Sequence, residues 1–522
     1  MDRPRLIYYN DGHHFHAKRI EPPASLHMLQ WPVDEVAGTG VDLLILGLGY
    51  SDVYFHDSKV GRVVGQRQEV WDSYIDWRIM RMVEEGRKLG TDQVREVTKR
   101  GRELGVRVFP SLKLQDVAAP GSERCGLLKW ERGAEVCIGA EGRYEWAYDF
   151  AVEAVRQAKL AVVREILEEY EAEGIELDFM FDCCYFRADQ VEACTLRMTE
   201  FVRQVRSLAE EVGRQQQRQI GVMARVALDR DRNLEAGLDV ESWLREGSLD
   251  YVVGQDDRIL TDTQPKPRWL PESAQAAGAA AYYRPPRRVY HESVGVPSIE
   301  MYRALGQTLD QQGYAGLYHG YMPWPLADTQ YQFLREAAYP EVCRRRPKRY
   351  YLQPREGASD ACTTPDRVLP ADLKEGETIS ARVWVADDVD GARRDGELRR
   401  PILTLRFACF CIEDEVEVRC NGRVLSLDEA EITDERALTM ATRLAGGMEI
   451  QAPPAMSAHW FRFRLEQGDV QTGENVVEVD GRRLDRRAGF ARSLSGVEIF
   501  MRYRDYERPE GLRMERVDPP NG

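Results

Sequence analysis

Over residues 1 to about 340, short apolar runs alternate with amphipathic stretches. The runs span residues 6–9, 41–48, 106–114, 175–181, 220–226, 251–254, 289–294 and 316–321. Most are rich in Val, Ile, Leu or aromatics and too short for helices. They therefore read as strands buried on both faces, the mark of a parallel sheet. Between them, Val163, Ile166, Leu167 and Tyr170 recur at helical spacing, one apolar stripe on a helix ending near Gly174. Asp189 followed by Glu192 has the form of a capping box, and Phe201, Val205 and Leu208 continue that helix's buried face. Residues 239–245 predict a short helix that Gly247 ends.

Eight strand–helix units in this length predict an α/β fold, a (β/α)8 TIM barrel with long loops. The alternative, a doubly wound open sheet, follows its first strand with a Gly-rich phosphate loop. Here the first strand runs into Asn10-Asp11-Gly12-His13-His14 instead.

After residue 366 the pattern changes to strands and turns. Residues 379–385, 402–409, 415–420, 461–465, 475–479 and 497–503 read as strands, with turn signals at Asn421-Gly422 and Asp480-Gly481. An antiparallel β-sandwich is expected. The organisation that follows is a barrel over 1–342, a linker over 343–366 and a sandwich over 367–510. The linker carries the basic run Arg344-Arg345-Arg346-Pro347-Lys348-Arg349, which reads as a solvated connector.

Composition narrows the function classes. Of 522 residues, 43% are hydrophobic and 30% charged, enough for a large core. Seventy-two basic against 87 acidic side chains leave a net charge of −15, which repels phosphate backbones, so no nucleic-acid partner is expected. No apolar run reaches membrane-spanning length, so no membrane partner is expected either. The start, Met1-Asp2-Arg3-Pro4-Arg5, lacks the apolar segment of a signal peptide. A cytoplasmic protein is expected, or a secreted one whose leader is not in this sequence. Ten cysteines lie scattered, without a paired C-x-x-C pattern, and read as reduced thiols. The vicinal Cys183-Cys184 follows the fourth strand and could line a pocket.

The sharpest chemical signal is Gly174-Ile175-Glu176-Leu177-Asp178-Phe179-Met180-Phe181-Asp182. Strand alternation puts Glu176, Asp178, Met180 and Asp182 on one face, and Ile175, Leu177, Phe179 and Phe181 on the other, toward the helices. Carboxylates pointing into a barrel are costly to bury, and crowding at the mouth pushes one pKa upward. Glycosidic hydrolysis needs one protonated and one ionised carboxyl group flanking the sugar. The bland reading of Glu176 is a structural acid paired to Arg225 on the fifth strand. Glu292, in Tyr290-His291-Glu292-Ser293 at the expected seventh strand, is the candidate second carboxylate; Asp256 and Asp257 are rivals, or solvated loop acids.

His14-x-His16 after the first strand invites comparison with the metal-binding H-x-H of barrel amidohydrolases. That chemistry needs further His ligands on later strands, and Met223-Ala224-Arg225-Val226 and Gly254-Gln255-Asp256 supply none. No metal and no cofactor are expected. Asn10, Asp11, His13 and His14 read as donors and acceptors for sugar hydroxyls, joined by Arg225, Asp256, His291 and His319. Trp324 reads as a stacking platform or as packing beneath its loop.

Together these segments resemble a large, little-characterised group of bacterial glycoside hydrolases, related in fold to family-ten-like and alpha-amylase-type barrels. The resemblance lies in Arg5-Leu6-Ile7-Tyr8-Tyr9-Asn10-Asp11-Gly12, Ala37-Gly38-Thr39-Gly40-Val41-Asp42, the Gly174–Phe179 segment, Gly237-Leu238-Asp239-Val240-Glu241-Ser242-Trp243 and Gly313-Tyr314-Ala315-Gly316-Leu317-Tyr318. It extends into the sandwich through residues 418–424 and 475–479. It implies the barrel-plus-sandwich fold, hydrolysis of glycosidic bonds, and Asp178 as the active-site acid. Chitinase-type barrels read D-G-x-D-x-D-x-E at this strand; here Met180 stands where their catalytic Glu would be.

The expected function is a glycoside hydrolase with Asp178 and Glu292 as the catalytic pair and Glu176 tuning them. One alternative is a carbohydrate-binding barrel without catalysis, which Met180 favours. Another is a metal-dependent hydrolase using the N-terminal His cluster. The expected partner is an oligosaccharide or polysaccharide fragment. The sandwich could bind glycan, brace the barrel or mediate homo-oligomerisation.

Overall fold

A computed structural model describes the chain apart from residues 1–2, 72, 141, 257–260, 287–296, 321, 323–325, 327, 353–368, 435–457 and 505–522. The N-terminal half closes into a barrel of eight parallel strands: β1 Leu6–Asn10, β2 Leu43–Gly47, β3 Arg107–Lys113, β4 Gly174–Asp178, β5 Gly221–Ala227, β6 Tyr251–Gln255, β7 Ala280–Arg284 and β8 Gly316–Gly320. They neighbour one another in chain order, and β8 pairs back onto β1 with Leu6 opposite Leu317.

Alternation explains the two-sided burial. Ile7, Ile45, Phe109, Met223, Val253 and Tyr282 form an apolar cluster filling the barrel. Leu44, Val108, Ile175, Val222 and Val252 join the larger cluster under the helices. The helix expected to end near Gly174 runs Glu153–Glu169, and the next long one runs Val191–Gln215. The Asp189–Glu192 capping box does not form: a 3-10 turn, Ala188–Gln190, precedes that helix, and no side chain caps it. Asp239 does cap the helix Val240–Arg245, accepting from the Ser242 amide at 3.1 Å.

The seventh strand departs from expectation. It is Ala280–Arg284; residues 289–294, where it was expected, all lie outside the described residues. It opens on Ala280 and Ala281, weak strand formers, before Tyr282 and Tyr283, which favour strand, so its pattern stands out less than the β-branched and aromatic residues of 289–294. Closure of the barrel places the strand at the alanines.

The C-terminal part is a two-sheet antiparallel sandwich. One sheet has the order β9-β17-β11-β15-β14, where β9 is Lys348–Leu352, β11 Ile402–Ala408, β14 Glu431–Asp434, β15 Ala458–Arg464 and β17 Ser493–Met501. The other runs β10-β16-β12-β13, with β10 Thr378–Val385, β12 Glu415–Cys420, β13 Arg423–Leu425 and β16 Gly473–Arg483. The basic run is not a solvated connector. Lys348 opens β9 with no exposure and sits 3.0 Å from Asp387, while Arg345, Arg346 and Arg349 pair with Glu397, Glu336 and Glu498.

The sandwich is tied to the barrel. Tyr351 donates its amide to Thr263 Oγ1 at 2.8 Å, on the segment between β6 and β7. Gln311, on the helix Ile299–Gln311, donates to the Ala386 carbonyl at 2.7 Å, and Ala304 of the same helix belongs to the sandwich core. Among the described residues no helix is long and apolar enough to cross a membrane, and all nine described cysteines are free thiols.

Candidate active site at the C-terminal mouth

Glu176 and Asp178 face into the barrel, as alternation required, and each is almost fully buried at 0% and 1% exposure. Asp178 stands level with Lys113 on β3 and Arg225 on β5. The Arg225 guanidinium joins the two acids. It donates to Asp178 Oδ2, and its Nε lies 3.5 Å from Glu176 Oε1. Asp178 Oδ1 accepts the Met180 amide at 2.9 Å. The guanidinium also lies 5.3 Å from the Tyr9 ring centre and 5.7 Å from that of Tyr318, so aromatic faces support it from the barrel wall.

These surroundings set the protonation bias of the acids. Burial pushes the Glu176 carboxyl above its ordinary range, Arg225 opposes this, and the charge of Asp178 adds to it. The hydroxyls of Ser111 and Tyr318 lean toward Glu176, though neither meets full hydrogen-bond geometry. Burial likewise raises Asp182, against its exposed ion-pair partner Arg143.

Three residues of this end were not singled out from the sequence. Lys113 is buried, donates to the Gly49 carbonyl at 3.0 Å, and is pushed down to about 8 by burial, with Asp11 and Asp178 pulling it back up. Gln255, at the end of β6, accepts from Arg225 at 2.7 Å and also from Arg284, at the end of β7. A lysine inside a buried parallel strand was as anomalous as Glu176 and was a usable signal. Arg284 was missed because its strand was misplaced. Phe181 is a fourth departure. Strand β4 ends at Asp178, so alternation stops there, and Phe181 is 45% exposed with its ring 4.3 Å from Lys113 Nζ instead of against the helices.

The turn after β1 brings Asp11, His13 and His14 to the same rim. Gly12 has φ +68°, and a Cβ there would meet the Gly47 carbonyl at 2.7 Å, so this sharp, close turn requires glycine. Asp11 is buried; its Oδ1 accepts the His14 amide at 2.9 Å and its Oδ2 lies 2.5 Å from His14 Nδ1. Burial raises Asp11, but the bond and charge of His14 outweigh it and hold the carboxyl below its usual range. His13 sits edge-on to His14 and Tyr50, at 5.1 and 5.3 Å. One ligand atom from each of Asp11, His13 and His14 lies within 4.8 Å of the others, a donor set that could hold a metal ion. His16 does not join them. Its ring turns inward onto the Gly12 carbonyl at 2.8 Å and against Phe55.

Other candidates lie elsewhere. His319 is on the outward face of β8, packed edge-on between Tyr302 and Phe333 of the surrounding helices at 5.1 and 4.8 Å. Asp256 follows the inward Gln255 and turns outward, accepting the Tyr283 hydroxyl at 2.7 Å. Asn10 caps its own turn through the Gly12 amide at 3.0 Å. Alternation explains each placement: Asn10 follows the inward Tyr9 and His319 the inward Tyr318 within their strands, and Asp256 comes one residue past the end of β6. Cys183 and Cys184 are half-buried, and burial pushes the Cys184 thiol up, away from nucleophilic form. Asp257, His291, Glu292 and Trp324 lie outside the described residues.

No protein-family model matches the chain, and no curated protein matches it. Solved structures do. A cycloisomaltooligosaccharide glucanotransferase from a Paenibacillus species is 10% identical, with a TM-score of 0.35 over 95% of this chain and 58% of its own. A protein described as an alpha-L-fucosidase from Bacteroides thetaiotaomicron is 12% identical, with a TM-score of 0.33 over 96% and 95%. The glycoside hydrolase domain of PgaB (BpsB) from Bordetella bronchiseptica is 12% identical, with a TM-score of 0.39 over 66% and 98%. The chain thus spans a little over half of the glucanotransferase, and likenesses this distant carry no argument about its chemistry.

Proposed function

We propose that the protein is a glycoside hydrolase whose reacting carboxylate is Asp178. One arrangement supports this reading. An acid at the C-terminal end of an inner barrel strand is held by Arg225 and the Met180 amide, beside buried Lys113 and exposed Phe181. The C-terminal end is where barrel enzymes place their chemistry.

Hydrolysis of an acetal takes two carboxyl groups, one giving a proton to the leaving oxygen and one acting as nucleophile or base. Asp178 takes the second role in this reading. The proton donor is assigned to Glu292 on the sequence argument alone. Glu176 is a positioning residue: with no exposure it acts on Asp178 through their shared guanidinium. Asp11, His13 and His14 at the rim meet sugar hydroxyls, and Phe181 offers an apolar ring for a sugar face.

Chromogenic glycosides and defined polysaccharides provide the assay. Asp178→Asn and Glu292→Gln should each cut turnover by about two to four orders of magnitude with the circular dichroism spectrum unchanged. Two fully active variants would sink the assignment. Phe181→Ala should raise KM more than it lowers kcat.

One observation favours a second reading, a carbohydrate-binding barrel without catalysis. Both Asp178 oxygens are engaged and the side chain is 1% exposed. Calorimetric binding of a defined oligosaccharide that is recovered uncleaved would establish it.

A further inference from the structure

We infer that Asp11, His13 and His14 form a binding site for a divalent transition-metal ion at the barrel rim. The inference does not rest on Asp178 being the reacting acid, and it replaces the direct contact with sugar hydroxyls given above to these three side chains. It also differs from the amidohydrolase pattern, which would need ligands from later strands.

Three observations carry it. The first is the donor set. Two imidazoles and a carboxylate, with ligand atoms within 4.8 Å of one another, match the three protein ligands of zinc sites that keep an open position. The second is an enclosed polar atom: His13 Nε2 is buried and has no hydrogen-bond partner. Such an atom is costly unless something satisfies it, and it belongs to an imidazole that lies with a carboxylate and a second imidazole, a grouping suited to a cation. The third is how the turn is held. Gly12 lies against Gly47, and the His14 amide fixes Asp11, so the three side chains are presented by backbone that has little freedom.

The same geometry selects the kind of ion. Asp11 is the sole carboxylate of the set, and the cations Lys113 and Arg124 both bear on His13. Hard ions such as calcium and magnesium need several oxygen ligands, which this set lacks. Imidazole suits zinc, nickel, copper and cobalt. The side chain of His14 is 48% exposed, so an ion can reach the cluster from solvent. Binding would replace the contact between His14 Nδ1 and Asp11 Oδ2 with two bonds to the ion, and any proton on the ring nitrogen would leave to buffer.

The test uses the full-length protein, stripped with a chelator and dialysed. It is titrated with Zn2+ alone by calorimetry, and with Co2+ alone by visible absorption. One equivalent of each is expected to bind, with a cobalt d–d band reporting nitrogen ligation. His13→Ala and His14→Ala should each lose the band and the stoichiometric binding. His27→Ala, which removes an exposed imidazole on the helix Leu26–Asp34, should keep both. His14 is exposed, so His14→Ala decides the matter should His13→Ala fail to fold. Absence of binding to the unaltered protein, or binding retained in the folded His14→Ala variant, would overturn the inference.

Discussion

Arg225 is the residue on which the mouth depends, because one guanidinium serves two buried carboxyl groups. Arg225→Met should cost about 3–5 kcal/mol in chemical denaturation, since both acids are left without their cation. Lysine should not restore the loss, because an ammonium lacks the fork that reaches Asp178, Glu176 and Gln255 together. A variant as stable as the parent would show that water already compensates the acids. Lys113 makes a prediction in pH. Its folded-state value falls from 10.5 to about 8, so between those limits the unfolded chain binds more protons than the folded one. Stability from this group is therefore complete above 10.5 and is lost as pH falls through about 8. Compared with Lys113→Met, the parent should gain stability as pH rises across that window, and a flat difference would refute the shift.

Elements position these residues more than local propensity does. Trp243, on the helix that Asp239 caps, is fully buried and lies 5.1 Å from the Phe179 ring, immediately after Asp178. Trp243→Ala should cost about 3–5 kcal/mol by opening a cavity behind the end of β4. A loss under about 1 kcal/mol would mean that the site collapses around the gap. Strand β7 shows the limit of pattern reading. Ala280 and Ala281 are poor strand formers in isolation, yet they pair with Tyr251 and Val252 because the cylinder needs a strand between β6 and β8. That placement brings Arg284 to the mouth, where it shares Gln255 with Arg225.

At the scale of the whole molecule, the sandwich packs against the barrel. Strand β9 arises within the expected linker, and Tyr351 ties it to Thr263 beside the mouth. A chain truncated after Arg346 should melt at a lower temperature than the full-length protein, because the outer face of the helix Ile299–Gln311 loses its cover. Equal melting temperatures would show that the barrel needs no support.

The chain's own pattern determined the barrel, the sandwich, and the inward pair Glu176 and Asp178, because strand periodicity assigns faces without reference to distant residues. It also exposed Arg225 as a partner for Glu176. Tertiary structure alone decided where alternation stops: it ended β4 at Asp178, left Phe181 at the surface and set Lys113 beside Asp178. The physical reason is that facing follows from local backbone geometry. Strand ends, charge partners and the choice of seventh strand follow from closing the cylinder and covering it, to which residues far apart in the chain contribute.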